Sequence, residues 1–88
     1  MEKLIKDLQI KIVDVLNLID VQPEDIKADE QLVGGDLGID SIDVLEMVIM
    51  IAKDYGVKID NRELGSKVFA TLRTLAEYIH ENSSEMPN

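Results

Sequence analysis

Residues 36–47 read Asp36-Leu37-Gly38-Ile39-Asp40-Ser41-Ile42-Asp43-Val44-Leu45-Glu46-Met47, a short acidic turn that runs straight into an apolar helical pattern. Asp40 is placed to cap that helix, because its carboxylate can accept from the backbone N–H groups two and three residues on. Asp43 follows three residues later, where a capping box usually has Glu or Gln. Ser41 then stands at the first exposed helical position, its hydroxyl beside N–H groups that the helix leaves unbonded. The helix dipole favours an anion at such a place, a phosphate above all. A serine placed so suits the attachment of a phosphorylated group. Ser at a helix start also has a plainer reading, as a residue that merely caps.

Beyond Ser41 the apolar positions form two stripes. Val44, Met47, Val48, Ile51 and Tyr55 fall at core spacing on one side. Ile42, Leu45, Ile49 and Ala52 recur about 100° further round the helix. A helix of a small bundle cannot bury both. Ile42 and Leu45, rimmed by Asp43 and Glu46, read as an exposed docking patch. Ile49 is open to two readings, packed under the preceding loop or part of the patch. The helix is expected over Ser41–Tyr55, with Gly56 as its stop.

Before this helix, Leu4, Ile5, Leu8, Ile12, Val15, Leu16 and Ile19 recur at threes and fours, which predicts an amphipathic helix over residues 3–19. Pro23 disfavours a helical Gln22 and can itself begin a single turn. Residues 27–38 read as a polar loop anchored by Leu32, Val33 and Leu37, long enough in a small domain to expect a function. After Gly56 comes a connector with Ile59 as its buried anchor. A short third helix follows over 62–67, capped by Asp60 or Asn61 and weakened by Gly65. Thr71 caps a fourth helix that carries Leu72, Leu75, Ala76, Tyr78 and Ile79 and ends near Glu81. The pattern predicts an all-α four-helix bundle with a short third helix and a long loop between helices 1 and 2. Residues 1–82 form the domain, and 83–88 a flexible tail.

The chain has 88 residues, room for one small core. Aromatics are only 3%, so that core is aliphatic. There is no Cys, which excludes disulfides, thiolate metal sites and a Cys nucleophile. Neither a membrane-spanning run nor a signal-peptide core is visible, so a cytoplasmic protein without membrane insertion is expected. The net charge of −9 makes nucleic acid an unsuitable partner and a basic protein surface a suitable one. Within residues 21–40, Glu24, Asp25, Asp29, Glu30, Asp36 and Asp40 face Lys27 alone, a net of −5 on the approach to Ser41. A solvated acidic loop is the plainer account of that run. His80, the only histidine, lies far along the chain from Ser41, with nothing to orient it as a base. Asp36, Asp40, Asp43 and Glu46 miss the spacing of a calcium loop. The chain reads as not an enzyme, with no metal site.

The stretch Asp36-Leu37-Gly38-Ile39-Asp40-Ser41-Ile42 resembles the phosphopantetheine attachment motif of acyl carrier proteins. The likeness runs from Val21 to Tyr55 and resumes over Thr71-Leu72 and Glu77-Tyr78-Ile79. It implies that Ser41 bears a covalent 4′-phosphopantetheine derived from coenzyme A, with Asp40 recognised by the phosphopantetheinyl transferase. It further implies a monomeric carrier of acyl intermediates, held as thioesters for fatty-acid, lipid or polyketide enzymes. Acyl-transfer and chain-elongation enzymes with basic docking surfaces would meet Ile42, Asp43, Leu45, Glu46 and Ile49. Some positions depart from the family: Gly34-Gly35 replaces bulkier or acidic residues, and Ala52-Lys53 stands where acids are usual. The segment between Ile59 and Thr71 is slightly longer and carries Arg62 and Lys67. These departures favour a specialised carrier. An aminoacyl or peptidyl cargo, and an unmodified acidic helical interaction module, stay open as alternatives.

Overall fold

The computed structural model describes residues 2–35 and 37–83. Four helices follow in order: α1 over Glu2–Val15, α2 over Ser41–Tyr55, α3 over Arg62–Val68 and α4 over Leu72–Asn82. A single 3-10 turn, Pro23–Asp25, interrupts the α1–α2 connection. The four-helix reading stands, with the third helix short. Residues 84–88, most of the expected tail, lie outside the described residues. Ser83, the first residue of that tail, donates its hydroxyl to the Tyr55 carbonyl at 2.6 Å.

The first helix is shorter than its apolar spacing predicts. It ends at Val15 because Asn17 takes a left-handed conformation, φ 51°. Leu18 N–H then reaches back to the Val13 carbonyl at 3.1 Å and Asn17 N–H to Asp14 at 3.2 Å. This is the paired closure of a Schellman motif, and half-buried Leu18 joins Val13 against the core as that motif favours. An Asn tolerates the left-handed region far better than its neighbours do. Local backbone chemistry here outweighs periodicity, and Ile19 is left 79% exposed.

The connection that precedes α2 is part of the core. Ile26, Leu32 and Ile39 are each 1% exposed or less, as fully enclosed as Leu8, Ile12 and Ile51 of the helices. Burying each such side chain stabilises the fold by about 1.5–3 kcal/mol. Backbone bonds tie the same segment to the α3–α4 corner: Leu32 N–H to the Ala70 carbonyl at 3.0 Å, and Arg73 N–H to Ala28 at 2.9 Å. Val33 and Leu37 are half-buried, so Leu32 is the true anchor of the three expected. Gly34-Gly35 makes a tight turn. Gly34 has φ 77° and donates to the Ile39 carbonyl at 2.8 Å. A Cβ on Gly35 would stand 2.7 Å from the Gln31 carbonyl oxygen. A bulkier residue does not fit there.

The helices fit the capping signals closely. Gly56 ends α2 in the left-handed region, its N–H on the Ala52 carbonyl at 3.2 Å. Asn61, not Asp60, caps α3, accepting from Leu64 N–H at 2.7 Å. Thr71 and Thr74 close a reciprocal box at the head of α4, the Thr74 hydroxyl taking the part of the usual Glu. The connector between α2 and α3 has two buried anchors, Val57 as well as Ile59. α1 packs on α2 and α4, and α3 on α4. No charged side chain is buried among the described residues.

A polar latch joins α1 to the end of α2. The Tyr55 hydroxyl donates to Asp7, and Lys11 bridges Asp7 and Asp54 at 3.4 Å each. The same ammonium lies 4.5 Å from the Tyr55 ring centroid, a cation–π contact. Burial, then the bond to Asp7 and the charges of Asp7 and Asp54, hold the Tyr55 phenol protonated well above its ordinary value of 10.0. A raised pKa stabilises the fold below the ordinary value, and the contribution is lost as pH rises through the folded one. Stability is therefore expected to fall above pH 10. Tyr55→Phe should cost about 1 kcal/mol at neutral pH for the missing hydrogen bond. Its stability should also decline less steeply in alkali, as urea midpoints across pH 7–11.5 will show.

Candidate functional site

Asp40 is extended, φ −115° and ψ −175°, and hands over to the helix at Ser41. Its Oδ1 accepts from Ile42 N–H at 3.0 Å and from Asp43 N–H at 3.1 Å. Asp43 returns the favour, its Oδ2 accepting from Asp40 N–H at 3.1 Å. The box expected from the sequence is therefore closed, with Asp in place of Glu. Loss of such a cap typically costs about 0.5–2 kcal/mol. Ser41 sits within this clamp, exposed, and its hydroxyl makes no hydrogen bond among the described residues. Asp36, the first acid of the motif, lies outside them.

The same bonds engage most of the N–H groups at the helix head. Ile42 and Asp43 N–H are both spent on the Asp40 carboxylate, and Asp40 N–H on Asp43. Val44 N–H begins the helical ladder on the Asp40 carbonyl at 3.3 Å. Two carboxylates thus meet three of the donors at the helix head, those of Asp40, Ile42 and Asp43. What marks Ser41 is an exposed hydroxyl at a capped helix start, without a hydrogen bond among the described residues.

On α2, Met47 and Ile51 are fully buried, Tyr55 nearly so, and Val44 and Val48 half-buried, which matches the core stripe. Met50 is buried too, although it belongs to neither stripe expected from the sequence. The second stripe is open to solvent: Ile42 is 72% exposed, Leu45 63% and Ile49 62%. Ile49 thus lies on the surface and not beneath the loop. It borders a shallow groove between α1 and α2, with Lys11, Val15 and Lys53. At 1.5 Å per residue the stripe leads about 12 Å along the helix from Ser41. Glu46 is exposed beside it, whereas the half-buried Asp43 is turned back onto the Asp40 backbone.

The loop that presents this helix is held from its far side by an ion pair that sequence spacing does not announce. Arg73 of α4 grips Asp29 by Nε and by Nη2, the latter at 3.1 Å. The guanidinium holds the Asp29 carboxyl below its ordinary value, and the carboxylate raises Arg73 in turn. The Tyr55 latch was equally silent in sequence, although Asp7 and Lys11 stand at the four-residue spacing of a helical ion pair. His80 is exposed on α4. Among the described residues no cluster of His, Asp or Glu is arranged to hold a metal ion, and no helix is long and apolar enough to cross a membrane.

Ser41 thus offers an exposed hydroxyl at a capped helix start, beside an open apolar stripe. The model of the family described as "Phosphopantetheine attachment site" matches residues 7–79. The acyl carrier protein of Wolinella succinogenes is 33% identical over 76 residues, 86% of this chain and 92% of that protein. The acyl carrier protein of Syntrophobacter fumaroxidans is 32% identical over 78 residues, 88% of this chain and 93% of its own. The chain belongs to the phosphopantetheine-binding acyl carrier family. Its cofactor is 4′-phosphopantetheine, and it is a carrier, not a catalyst.

The two stripes of α2 should differ in what they contribute to stability. Ile51→Ala should cost about 2–5 kcal/mol, because it empties a filled core site. Leu45→Ala should stay within about 0.5 kcal/mol of the wild type, since its side chain is already in water. Denaturant midpoints of the two variants check this directly. Equal losses would place Leu45 in the core.

Proposed function

We propose that Ser41 bears the 4′-phosphopantetheine arm and that the chain presents acyl intermediates on it to fatty-acid, lipid or polyketide biosynthetic enzymes. The single observation that carries this reading is the Ser41 hydroxyl, exposed and unengaged between two carboxylates that fix its backbone. When bound, the arm supplies a terminal thiol on which an acyl group is held as a thioester. The chain's own residues do the rest. Asp40 fixes the start of α2 and displays an acid beside Ser41 for the phosphopantetheinyl transferase. Ile42, Leu45 and Ile49, rimmed by Glu46, form the face that acyl-transfer and chain-elongation enzymes meet. A tether so placed raises the effective concentration of cargo at whichever enzyme has docked. On this reading the carrier works as a monomer in the cytoplasm. Departures from the common fatty-acid carriers, among them the Gly34-Gly35 turn and Lys53 near the end of α2, favour a specialised set of partners.

Intact mass tests the attachment. Incubation with coenzyme A, Mg²⁺ and a broad-specificity transferase should add one phosphopantetheine, and Ser41→Ala should block it. Addition at Ser66, Ser83 or Ser84 would overturn the assignment. An unmodified wild-type chain would leave the acidic interaction module as the better account.

Docking should also be sensitive to salt. The acids Glu24, Asp25 and Glu30 of the preceding segment and Glu46 of α2 are exposed, and exposed charges are screened over about 10 Å at 0.1 M salt. Association rates with a basic partner enzyme should therefore fall as salt rises, more than dissociation rates increase. Stopped-flow mixing between 0.02 and 0.5 M NaCl, a range chosen to span roughly that screening length, reads the slope. An on-rate indifferent to salt would count against steering.

A further inference from the structure

By position, Asp43 belongs with Glu46 as an acid that greets a basic partner. Its geometry differs. Glu46 is exposed, while Asp43 is half-buried and spends Oδ2 on the Asp40 N–H at 3.1 Å. From the other side of the turn, Asp40 Oδ1 holds the N–H groups of Ile42 and Asp43. The two carboxylates therefore clamp one turn from both ends, and Ser41 is the residue between them. Asp40 is extended and Ser41 helical, so the peptide joining them sets the direction in which the Ser41 side chain leaves the helix. The carbonyl of that peptide accepts from Val44 N–H at 3.3 Å, and Asp43 holds the N–H of the peptide before it, so Asp43 fixes the backbone on the N-terminal side of Asp40.

We infer that Asp43 is a positioning residue for the transfer onto Ser41, and not a docking charge. The inference rests on Ser41 being the attachment site. In that transfer Ser41 Oγ attacks the phosphorus of coenzyme A that bears the pantetheine. The new O–P bond forms as the bond from that phosphorus to the bridging oxygen breaks. 3′,5′-ADP leaves with the electron pair, and the serine proton passes to a base of the transferase. In-line attack needs Oγ opposite the leaving oxygen, so a turn free to swing loses alignment and slows the chemical step. Loss of a docking charge instead weakens the encounter and raises KM.

Three substitutions separate these roles. Asp43→Asn keeps the shape and an oxygen that can accept the Asp40 N–H, but removes the charge. Asp43→Ala removes both. Asp43→Glu keeps both, with the residue usual at this place of a capping box. The measurement is kcat and KM for the carrier with a broad-specificity transferase and coenzyme A, beside amide hydrogen exchange at Asp40. Asp43→Ala should lower kcat about tenfold with KM little changed, and the Asp40 amide should lose protection. Asp43→Glu should restore both, and Asp43→Asn should stay near wild type in kcat and KM. A raised KM with unchanged kcat in both Asn and Ala variants would make Asp43 a docking charge and overturn the inference. Unchanged parameters throughout would overturn it as well. Should Asp43→Ala not fold, Asp43→Leu takes its place: a lowered kcat with lost Asp40 amide protection supports the positioning role, while unchanged kcat, or a severalfold rise in KM for Asp43→Asn, contradicts it. A wild-type chain left unmodified at Ser41 would bring down the proposed function and this inference together, whereas modified wild type with indifferent variants brings down only the latter.

Discussion

The N–H groups at the head of α2 have no carbonyl of their own helix to meet, and the rest of the site follows from how they are met. Asp40 takes two of them and lends its own to Asp43. This arrangement sets where the helix begins, and the starting point sets which residues look inward. Successive residues of a helix point about 100° apart, so a start shifted by one would turn the whole pattern. Met47 and Ile51 would swing away from the core, and members of the open stripe would swing toward it. A clamp of two acids thus decides at once where Ser41 stands and which apolar side chains remain in water. The local cap and the global packing agree, as they must in a sequence with a single stable fold.

The second support is the segment between α1 and α2. Its length suggests slack, yet Ile26, Leu32 and Ile39 are as deeply enclosed as the best-packed helical residues. Ile39 immediately precedes Asp40, so the capping residue hangs from a core side chain. Gln9 of α1 donates to the Ile26 carbonyl at 2.8 Å, and Arg73 of α4 holds Asp29. Gly34-Gly35 permits a turn too tight for a larger residue. The segment behaves as a fifth packing element, with the Pro23–Asp25 turn as its helical part. Its buried anchors and backbone bonds fix where the chain enters α2, while Ser41 itself stays exposed.

The elements legible in the sequence were those governed by short-range rules. Asp40 and Asp43, Asn61, Thr71 and Gly56 each declare a helix end through residues no more than four apart, and α2, α3 and α4 lie where they say. Exposure of Ile42 and Leu45 followed from the width of face a small bundle can bury. Three kinds of feature escaped. Asn17 ended α1 although the apolar spacing ran on, because one left-handed residue outweighs a weak periodic preference. Met50 and Val57 are buried by the particular way helices meet, which spacing along one helix does not encode. The Arg73–Asp29 and Tyr55–Asp7 contacts join residues 44 and 48 positions apart.

The seam between the loop and the α3–α4 corner is made of main chain on both sides, Leu32 to Ala70 and Arg73 to Ala28. Exchange of a side chain does not delete such bonds; a change in chain length does. The exposed loop positions, among them Lys27 and Glu30, are therefore free to diverge in charge and shape without moving the serine. One residue gained or lost between Leu32 and Asp40 would alter the reach from seam to cap and displace it. Such a carrier can drift toward new partners by substitution, while insertions and deletions in this stretch are closed to it.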